Sequence, residues 1–291
     1  MNGAEKTKTS ILTIRPTQLY ISRHKYDSCS GLFHRQGFES HEPVPVKRIG
    51  NDLFFTDGHT RALLLWQNGV AAIHTVEDTD DMDWIAYLAN LQWCRDAGVQ
   101  SIKDLSYRIV THEVYREKWI ARCEKLHEKL IRDPLGDLEM GFERDPESKH
   151  RICNEVLRAL PKWFGIEEAI REYAEAVRDL VFATASLYGK TVGFCAVKTH
   201  YGINADLYVL GVFQEFHGLG IGTRLVGFIE DYCREAGTLY MTVKTLGDRH
   251  PSEEYARTRR FYERCGFRPL EEFPTLWGAA NPCLYMLKKI E

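Results

Sequence analysis

The sequence predicts an α/β (α+β) protein of two domains, and three observations lead to this prediction. The chain has 291 residues, a length that usually divides into two domains with separate cores. Runs with strand periodicity alternate with runs of helical periodicity throughout. A break at Arg132-Asp-Pro-Leu-Gly136 interrupts this alternation near the middle. We therefore place a first domain at 1–100, a helical connector at 101–136 and a second domain at 137–291.

Composition is typical of a soluble globular protein, with 44% hydrophobic and 27% charged residues. The net charge of −3 gives no overall attraction to nucleic acid or anionic membranes. No apolar run approaches the roughly 20 residues that span a bilayer, and the first residues lack an apolar signal region. The eight cysteines occur singly, without a Cys-x-x-Cys pair, so we expect reduced thiols, no metal site and a cytoplasmic location.

The first segment carries both strand and helix signals. Between the hairpin strands lies the turn Gly50-Asn51-Asp52, and Gly69 ends the helix that follows. Further helical patterns run through Leu91, from near Ser101, and through Trp119 and Leu126. Glutamates interleave with the basic residues of the last pattern, which favours a connector over a DNA-binding element. The expected elements are a strand at 11–14, hairpin strands at 44–49 and 53–56, a helix at 59–68 and a strand at 71–76.

The second segment also mixes the two periodicities. Pro161 and Gly165 separate two helical patterns, and Tyr188-Gly189-Lys190 forms the turn of a hairpin. The expected elements are helices at 147–163 and 166–178, hairpin strands at 180–187 and 191–198, a strand at 206–213, a helix at 218–236, a strand at 239–244, a helix at 252–265 and two final strands near Phe267 and Leu284.

The most informative stretch is His217-Gly218-Leu219-Gly220-Ile221-Gly222, between a strand and a helix. A helix start has unpaired N–H groups and a positive dipole end, and glycines let an anion approach the backbone. A P-loop needs Lys-Ser/Thr after its last glycine, whereas Thr223-Arg224 follows here. The strictly alternating glycines also differ from the Rossmann spacing. The remaining interpretation is a site for the pyrophosphate of coenzyme A.

This arrangement of strand, x-x-G-x-G and helix resembles motif A of the GNAT family of N-acetyltransferases. Two further stretches resemble other parts of that family. Thr191-Val-Gly-Phe194 is similar to the strand that follows its first hairpin, and Arg260-Phe-Tyr-Glu-Arg-Cys-Gly-Phe267 is similar to the end of its late helix. The order of elements from about 138 to 291 also matches. The resemblance implies a mixed sheet flanked by helices, and acetyl-CoA as the cofactor. It implies that the backbone of Leu210 and Val212 pairs with the pantetheine arm, and that 217–222 and Thr223 hold the pyrophosphate. His217 stands where the family usually has Arg or Gln.

Acetyl transfer to an amine needs a proton acceptor, an oxyanion donor and a group that protonates the departing thiolate. The resemblance implies that Tyr262 protonates the thiolate; a core aromatic residue is the alternative interpretation. Asp206 matches a position that is often acidic in the family and is our candidate base; a strand-end carboxylate facing solvent is the alternative. The backbone N–H of Val212 is the candidate oxyanion donor.

A second turn, Asp57-Gly58-His59-Thr60-Arg61, also joins a strand to a helix. Gly58 can admit an anion and Arg61 can bind phosphate with two hydrogen bonds. The segment 11–76 resembles the ParB/sulfiredoxin superfamily, whose members bind nucleotides such as CTP, ATP or ADP at this turn. The resemblance implies phosphate contacts for these residues. A tight turn without a ligand is the alternative.

Together these patterns predict an N-acetyltransferase that moves an acetyl group from acetyl-CoA to an amine, with a nucleotide-binding N-terminal domain. The acceptor is a small-molecule, peptide or protein amine; a homodimer is compatible with the sequence. Nucleic acid and membrane partners are not favoured. Two alternatives stay open: a non-catalytic regulatory or DNA-associated protein that responds to CoA or nucleotide, and a bifunctional enzyme with small-molecule kinase activity.

Overall fold

The computed structural model describes residues 7–37 and 42–291. The chain divides into two compact units between Asp137 and Leu138. No helix in the described ranges is both long and apolar enough to cross a membrane.

The first unit combines short strands with helices. Its elements are β1 (Thr7–Ser10), β2 (Ile21–Ser22), α1 (Arg23–Gln36), β3 (Val44–Ile49), β4 (Asp52–Phe55), α2 (His59–Gln67), β5 (Ala72–Glu77), α3 (Trp84–Asp96), β6 (Ile109–Val110), α4 (His112–Tyr115) and α5 (Ala121–Arg132). Four strands form a mixed sheet in the order β1-β5-β3-β4. Strand β1 is antiparallel to β5, β3 is antiparallel to β4, and β3 is parallel to β5. Separately, β2 pairs in parallel with β6.

Two elements near the N-terminus differ from the sequence prediction. The strand expected at 11–14 is wrong, because the strand lies at Thr7–Ser10 and a 3₁₀ turn follows at Ile11–Thr13. Ile11 and Ile14 are fully buried while Leu12 is 45% exposed, so the burial follows a period of three rather than two. Helix α1 was not predicted, because its sequence RHKYDSCSGLFHRQ is mostly polar and lacks a clear apolar stripe.

The segment expected to be a connector packs into the core of the first unit. Ile102 and Leu105 lie in a 3₁₀ segment, and Tyr115 and Trp119 lie further along; all four join the same buried cluster as Ile11. Helix α4 continues through a π-helical stretch at Arg116–Ile120 into α5. Residues 101–136 therefore belong structurally to the first unit.

The second unit contains a seven-stranded sheet with helices on it. Its elements are β7 (Leu138–Phe142), α6 (Pro146–Arg158), α7 (Glu167–Ala176), β8 (Val181–Leu187), β9 (Lys190–His200), β10 (Asn204–Val212), α8 (Ile221–Glu235), β11 (Tyr240–Leu246), α9 (Glu253–Arg264), β12 (Arg268–Phe273) and β13 (Cys283–Lys289). The strand order is β12-β13-β11-β10-β9-β8-β7. Strand β10 is parallel to β11, and the other neighbours are antiparallel.

The predicted elements of this unit are present, with shifted ends. Helix α6 begins after Asp145, whose side chain accepts a hydrogen bond from the Ser148 amide. It ends at Arg158, because a residue that precedes a proline disfavours helical backbone and Pro161 follows closely. Helix α8 begins at Ile221 rather than residue 218, because Gly218 and Gly220 have φ of +82° and +89°. Only β7, a short edge strand, was missed.

Candidate active site

Strands β10 and β11 begin as neighbours and then separate. They pair from Asn204 and Tyr240 to Leu207 and Val243, although β10 continues to Val212 and β11 to Leu246. Beyond the separation, β10 stays paired with β9, and β11 stays paired with β13. A β-bulge at Tyr208 lies where the strands part. The result is a V-shaped opening in the sheet, with one unpaired backbone edge on each side.

The backbone of Leu210 and Val212 points into this opening. The amide of Phe213 donates to the carbonyl of Val192 on β9 at 2.9 Å. Because backbone groups alternate sides along a strand, the N–H and C=O of Val212 point away from β9. Leu210 lies two residues earlier, after the bulge, and has the same orientation. Both residues therefore direct their backbone groups away from β9 and towards the opening.

The glycine turn follows β10 and leads into α8. Gly220 is the N-cap residue of α8 in a left-handed conformation, without a side-chain cap, and no acidic residue lies in the first turn. A Cβ at Gly218 or Gly220 would meet no atom within 4 Å, whereas one at Gly222 would lie 3.2 Å from Phe261. The first two glycines thus leave open space before unpaired helix amides, and Gly222 allows close packing of α8 against α9. We call this turn, residues 217–222, the phosphate cradle, because open space in front of unpaired helix amides suits a phosphate group.

The other side chains of the turn have separate roles. Ile221 is buried and Leu219 is 38% exposed. Burial raises the pKa of the Cys265 thiol, and a hydrogen bond with Thr223 partly offsets this. Thr223 thus contacts α9, so in this structure its side chain is engaged with a thiol.

The His217 side chain reaches the edge of β10 that faces the opening. Its Nε2 atom is 2.8 Å from the carbonyl oxygen of Val212, so this nitrogen carries the hydrogen and donates. The imidazole ring also packs edge-on against Trp163, with ring centroids 5.4 Å apart. Trp163 was not predicted from sequence as a site residue.

Tyr262 lies on α9 and is buried, with 7% of its surface exposed. Its ring packs against Phe267 at a centroid distance of 5.8 Å. Among the described residues, none forms a hydrogen bond with its hydroxyl. Burial strongly raises the pKa of Tyr262, and the neighbouring Cys195 and Cys265 thiols add to the effect. The hydroxyl is therefore protonated at neutral pH, and burial makes it a weaker acid than a tyrosine in water.

Asp206 is also buried, at 5% exposure, which excludes a solvent-facing strand end. Its Oδ1 atom accepts from the Thr242 hydroxyl at 3.2 Å, and its Oδ2 atom accepts from Lys244 Nζ at 2.7 Å. Lys244 Nζ lies 5.2 Å from the ring centroid of Tyr285. Asp206 precedes the strand separation, so a buried carboxylate with a fixed orientation lies near the V-shaped opening.

An aromatic row formed by Phe164, Tyr173 and Tyr208 runs from the α6–α7 connection to the bulge. Adjacent ring centroids are 5.9 Å and 5.5 Å apart, and both pairs are edge-on. Burial raises the pKa of Tyr173 to about 12. Burial also raises the pKa of Tyr208, and the Glu172 carboxylate adds to this. The row could not be predicted from the sequence because its members come from separate elements; the only local signal is a tyrosine inside the motif A strand.

The turn at residues 57–61 in the first unit has a mixed character. Gly58 is the N-cap residue of α2, with φ of +79°. The ring of His59 points inward, where its Nε2 atom accepts from the Thr17 amide at 3.0 Å, and burial lowers the pKa of His59 to about 4. Asp57 is exposed, and Thr60 and Arg61 are partly exposed. Any anion at this turn would meet these residues and the His59 amide rather than its ring.

Comparison with known families and curated proteins gives a match in the second unit. Residues 149–267 match the model of the acetyltransferase (GNAT) family. An uncharacterized N-acetyltransferase of Methanocaldococcus jannaschii is 29% identical over 109 residues, which cover 37% of this chain and 65% of that protein. One of Chlorobaculum tepidum is 27% identical over 121 residues, which cover 40% of this chain and 70% of that protein. The chain thus spans about two thirds of the length of these relatives.

Solved structures of low sequence identity were also found. A GNAT-family acetyltransferase from Desulfovibrio desulfuricans aligns with a TM-score of 0.46 and 18% identity, covering 53% of this chain and 99% of that one. An aminoglycoside 6'-N-acetyltransferase complexed with coenzyme A aligns with a TM-score of 0.43 and 19% identity, covering 53% of this chain and 97% of that one.

Proposed function

We propose, from the GNAT acetyltransferase domain that residues 149–267 form, that the chain transfers an acetyl group from acetyl-CoA to the amine of a small molecule, peptide or protein. The observation that carries this proposal is the V-shaped opening. It leaves Leu210 and Val212 without a strand partner on the side of β11, next to a glycine turn that can hold the cofactor's phosphates. The proposed sites for the pantetheine arm and for the phosphates are therefore adjacent, because the end of β10 leads directly into the glycine turn.

Bound acetyl-CoA supplies the acetyl group as a thioester. In the proposed mechanism Asp206 accepts the proton of the attacking amine, directly or through a water, and Lys244 fixes the orientation of its carboxylate. The Val212 amide, which faces the opening, donates to the oxygen that becomes negative. Tyr262 then gives its hydroxyl proton to the departing sulfur. We place the attacking amine beside the Tyr173–Tyr208 pair, because Tyr208 lies at the bulge where β10 and β11 separate.

Release of free CoA thiol from acetyl-CoA, measured with a panel of small amines and short peptides, tests this function. Amine-dependent thiol release supports an N-acetyltransferase. Binding of acetyl-CoA without acetylation of any amine would instead favour a non-catalytic, CoA-responsive protein. The catalytic roles are tested by Asp206→Asn and by the Tyr262 variant described in the Discussion.

We also propose a phosphate-binding role for the turn at Asp57–Arg61, in line with its resemblance to the ParB/sulfiredoxin superfamily. Three observations favour it: the left-handed Gly58 N-cap without a side-chain cap, the nine-residue helix that follows, and Arg61 in its first turn with 24% of its side chain exposed. The ligand is a nucleotide such as ATP, ADP or CTP. Its role is regulation of the acetyltransferase domain or, as the alternative, small-molecule kinase activity.

Thermal unfolding with and without each nucleotide tests this second site, because a ligand that binds the folded state raises its stability. We expect Arg61→Ala to abolish any shift that the wild-type protein shows. An equal shift in the variant would remove the site. Serine phosphorylation and nucleotide hydrolysis assays distinguish a kinase from a regulatory domain.

A further inference from the structure

The strand edge that faces the opening is partly occupied by the chain itself. Carbonyl and amide groups on the unpaired edge of β10 are free to pair with an extended ligand, in the way that an added strand would. At Val212, however, the carbonyl already accepts a hydrogen bond of 2.8 Å from the ring of His217. The donor is only five residues away along the chain, so the glycine turn folds its own first residue back into the cleft.

The His217 ring is also in contact with Trp163. The indole packs edge-on against the imidazole at 5.4 Å. Trp163 is in turn held by α9, because its Nε1 atom donates to the Thr258 hydroxyl at 3.2 Å and its carbonyl accepts from the Tyr255 hydroxyl at 2.7 Å. The imidazole therefore contacts both the strand edge and a side chain that is itself anchored.

We propose that His217 is a specificity-determining residue whose ring takes the place of a ligand amide at the Val212 carbonyl and must be displaced when the pantetheine arm binds. This inference rests on the cofactor site proposed above. An amide N–H of the arm offers the same chemistry as the imidazole N–H, a single neutral donor to a backbone carbonyl. Ligands that carry the arm compete with His217, whereas ligands that occupy only the phosphate cradle leave this contact intact.

The competition predicts a difference between two ligands. The first is CoA, and the second is adenosine 3′-phosphate 5′-diphosphate, which keeps the phosphates of CoA and lacks the pantetheine arm. In His217→Ala the Val212 carbonyl has no imidazole to release before the pantetheine arm binds, so the affinity for CoA should rise relative to that for the second ligand. A hydrogen bond of this type contributes enough for the ratio of the two dissociation constants to shift about three- to tenfold. Contacts of His217 with phosphate would affect both ligands and cancel in the ratio.

The experiment is calorimetric titration of both ligands into the wild-type chain and three variants, with thermal unfolding to verify folding. We expect the shift in His217→Ala and a ratio close to wild type in His217→Gln, whose side-chain amide can still donate to Val212. The matched control is His250→Ala. His250 packs 6.2 Å from the ring of Tyr255, which bonds to Trp163, but its Nδ1 atom accepts from the Ser252 amide and not from the edge of β10.

Each outcome has a distinct meaning. CoA binding with an unchanged ratio in His217→Ala overturns the role of His217 and leaves the cofactor site standing, as does an equal shift in His250→Ala. If neither ligand binds the wild-type chain, the cofactor site fails and this inference fails with it.

Discussion

The hydroxyl of Tyr262 offers a test in which activity and stability separate. Because no described residue forms a hydrogen bond with it, Tyr262→Phe removes one oxygen atom and no internal hydrogen bond. We expect the free energy of unfolding to stay the same or to rise by up to about 1–3 kcal/mol, because a buried hydroxyl without a partner destabilises the folded state. Turnover should fall, since general acid catalysis contributes about 10²- to 10⁴-fold, while acetyl-CoA still binds.

Tyr255 provides the matched control on the same helix. Its hydroxyl donates a hydrogen bond to the Trp163 carbonyl at 2.7 Å. Tyr255→Phe removes this hydrogen bond and leaves the carbonyl without that donor. Loss of such a hydrogen bond costs about 1 kcal/mol of stability. Its kcat should fall less than that of Tyr262→Phe, because Tyr255 is not assigned a proton transfer.

The measurements are kcat at saturating acetyl-CoA and urea unfolding of both variants. If Tyr262→Phe keeps its kcat within tenfold of wild type, Tyr262 is not the proton donor. If the stability of Tyr262→Phe falls by more than about 2 kcal/mol, the Tyr262 hydroxyl forms a hydrogen bond in the folded protein, and the claim that it has no partner is wrong.

Three further predictions concern stability and substrate binding. Burial lowers the pKa of His59 to about 4; below pH 6.5 the unfolded chain therefore binds a proton that the folded chain excludes. Stability should fall by about 1.4 kcal/mol per pH unit from about pH 6.5 to about 4, and urea unfolding of His59→Gln should lack this component. Gly58→Ala should destabilise the first unit by about 1–3 kcal/mol, because φ is +79° and the new Cβ would lie 2.9 Å from Val44. Gly69→Ala should lower the free energy of unfolding by less, because Gly69 has a similar φ of +82° but open space around the new Cβ; chemical denaturation of both variants measures the difference. Tyr208→Ala should raise the acceptor KM about two- to tenfold through loss of aromatic contact, and an unchanged acceptor KM in steady-state kinetics would place the amine elsewhere.

Local features of the site could be predicted from the sequence. The glycine turn is an example, since Gly218 and Gly220 adopt positive φ that other residues rarely accept. The helix with Tyr262 is another, because its buried face recurs at helical spacing. The candidate base Asp206 could be proposed from its position, but its burial and its Lys244 partner depend on the neighbouring strand.

Features that arise from distant segments could not be predicted. The point where β10 and β11 separate depends on how two strands more than 30 residues apart align. The contact between His217 and Trp163 joins the glycine turn to the α6–α7 connection. Helix α1 escaped detection for a different reason, since its polar sequence carries little periodic signal.

The pairing of β2 with β6 has a consequence for how the protein is made. Ile21 and Ser22 find their strand partners only at Ile109 and Val110, and the core around Ile11 includes Trp119. A ribosome adds about 5–20 residues per second, so roughly 5–22 s pass between the synthesis of Ile11 and that of Trp119. During that interval the N-terminal strands are exposed to other nascent chains and to chaperones. The first unit is therefore expected to acquire its protease-resistant state only after the residues near 120 have left the ribosome.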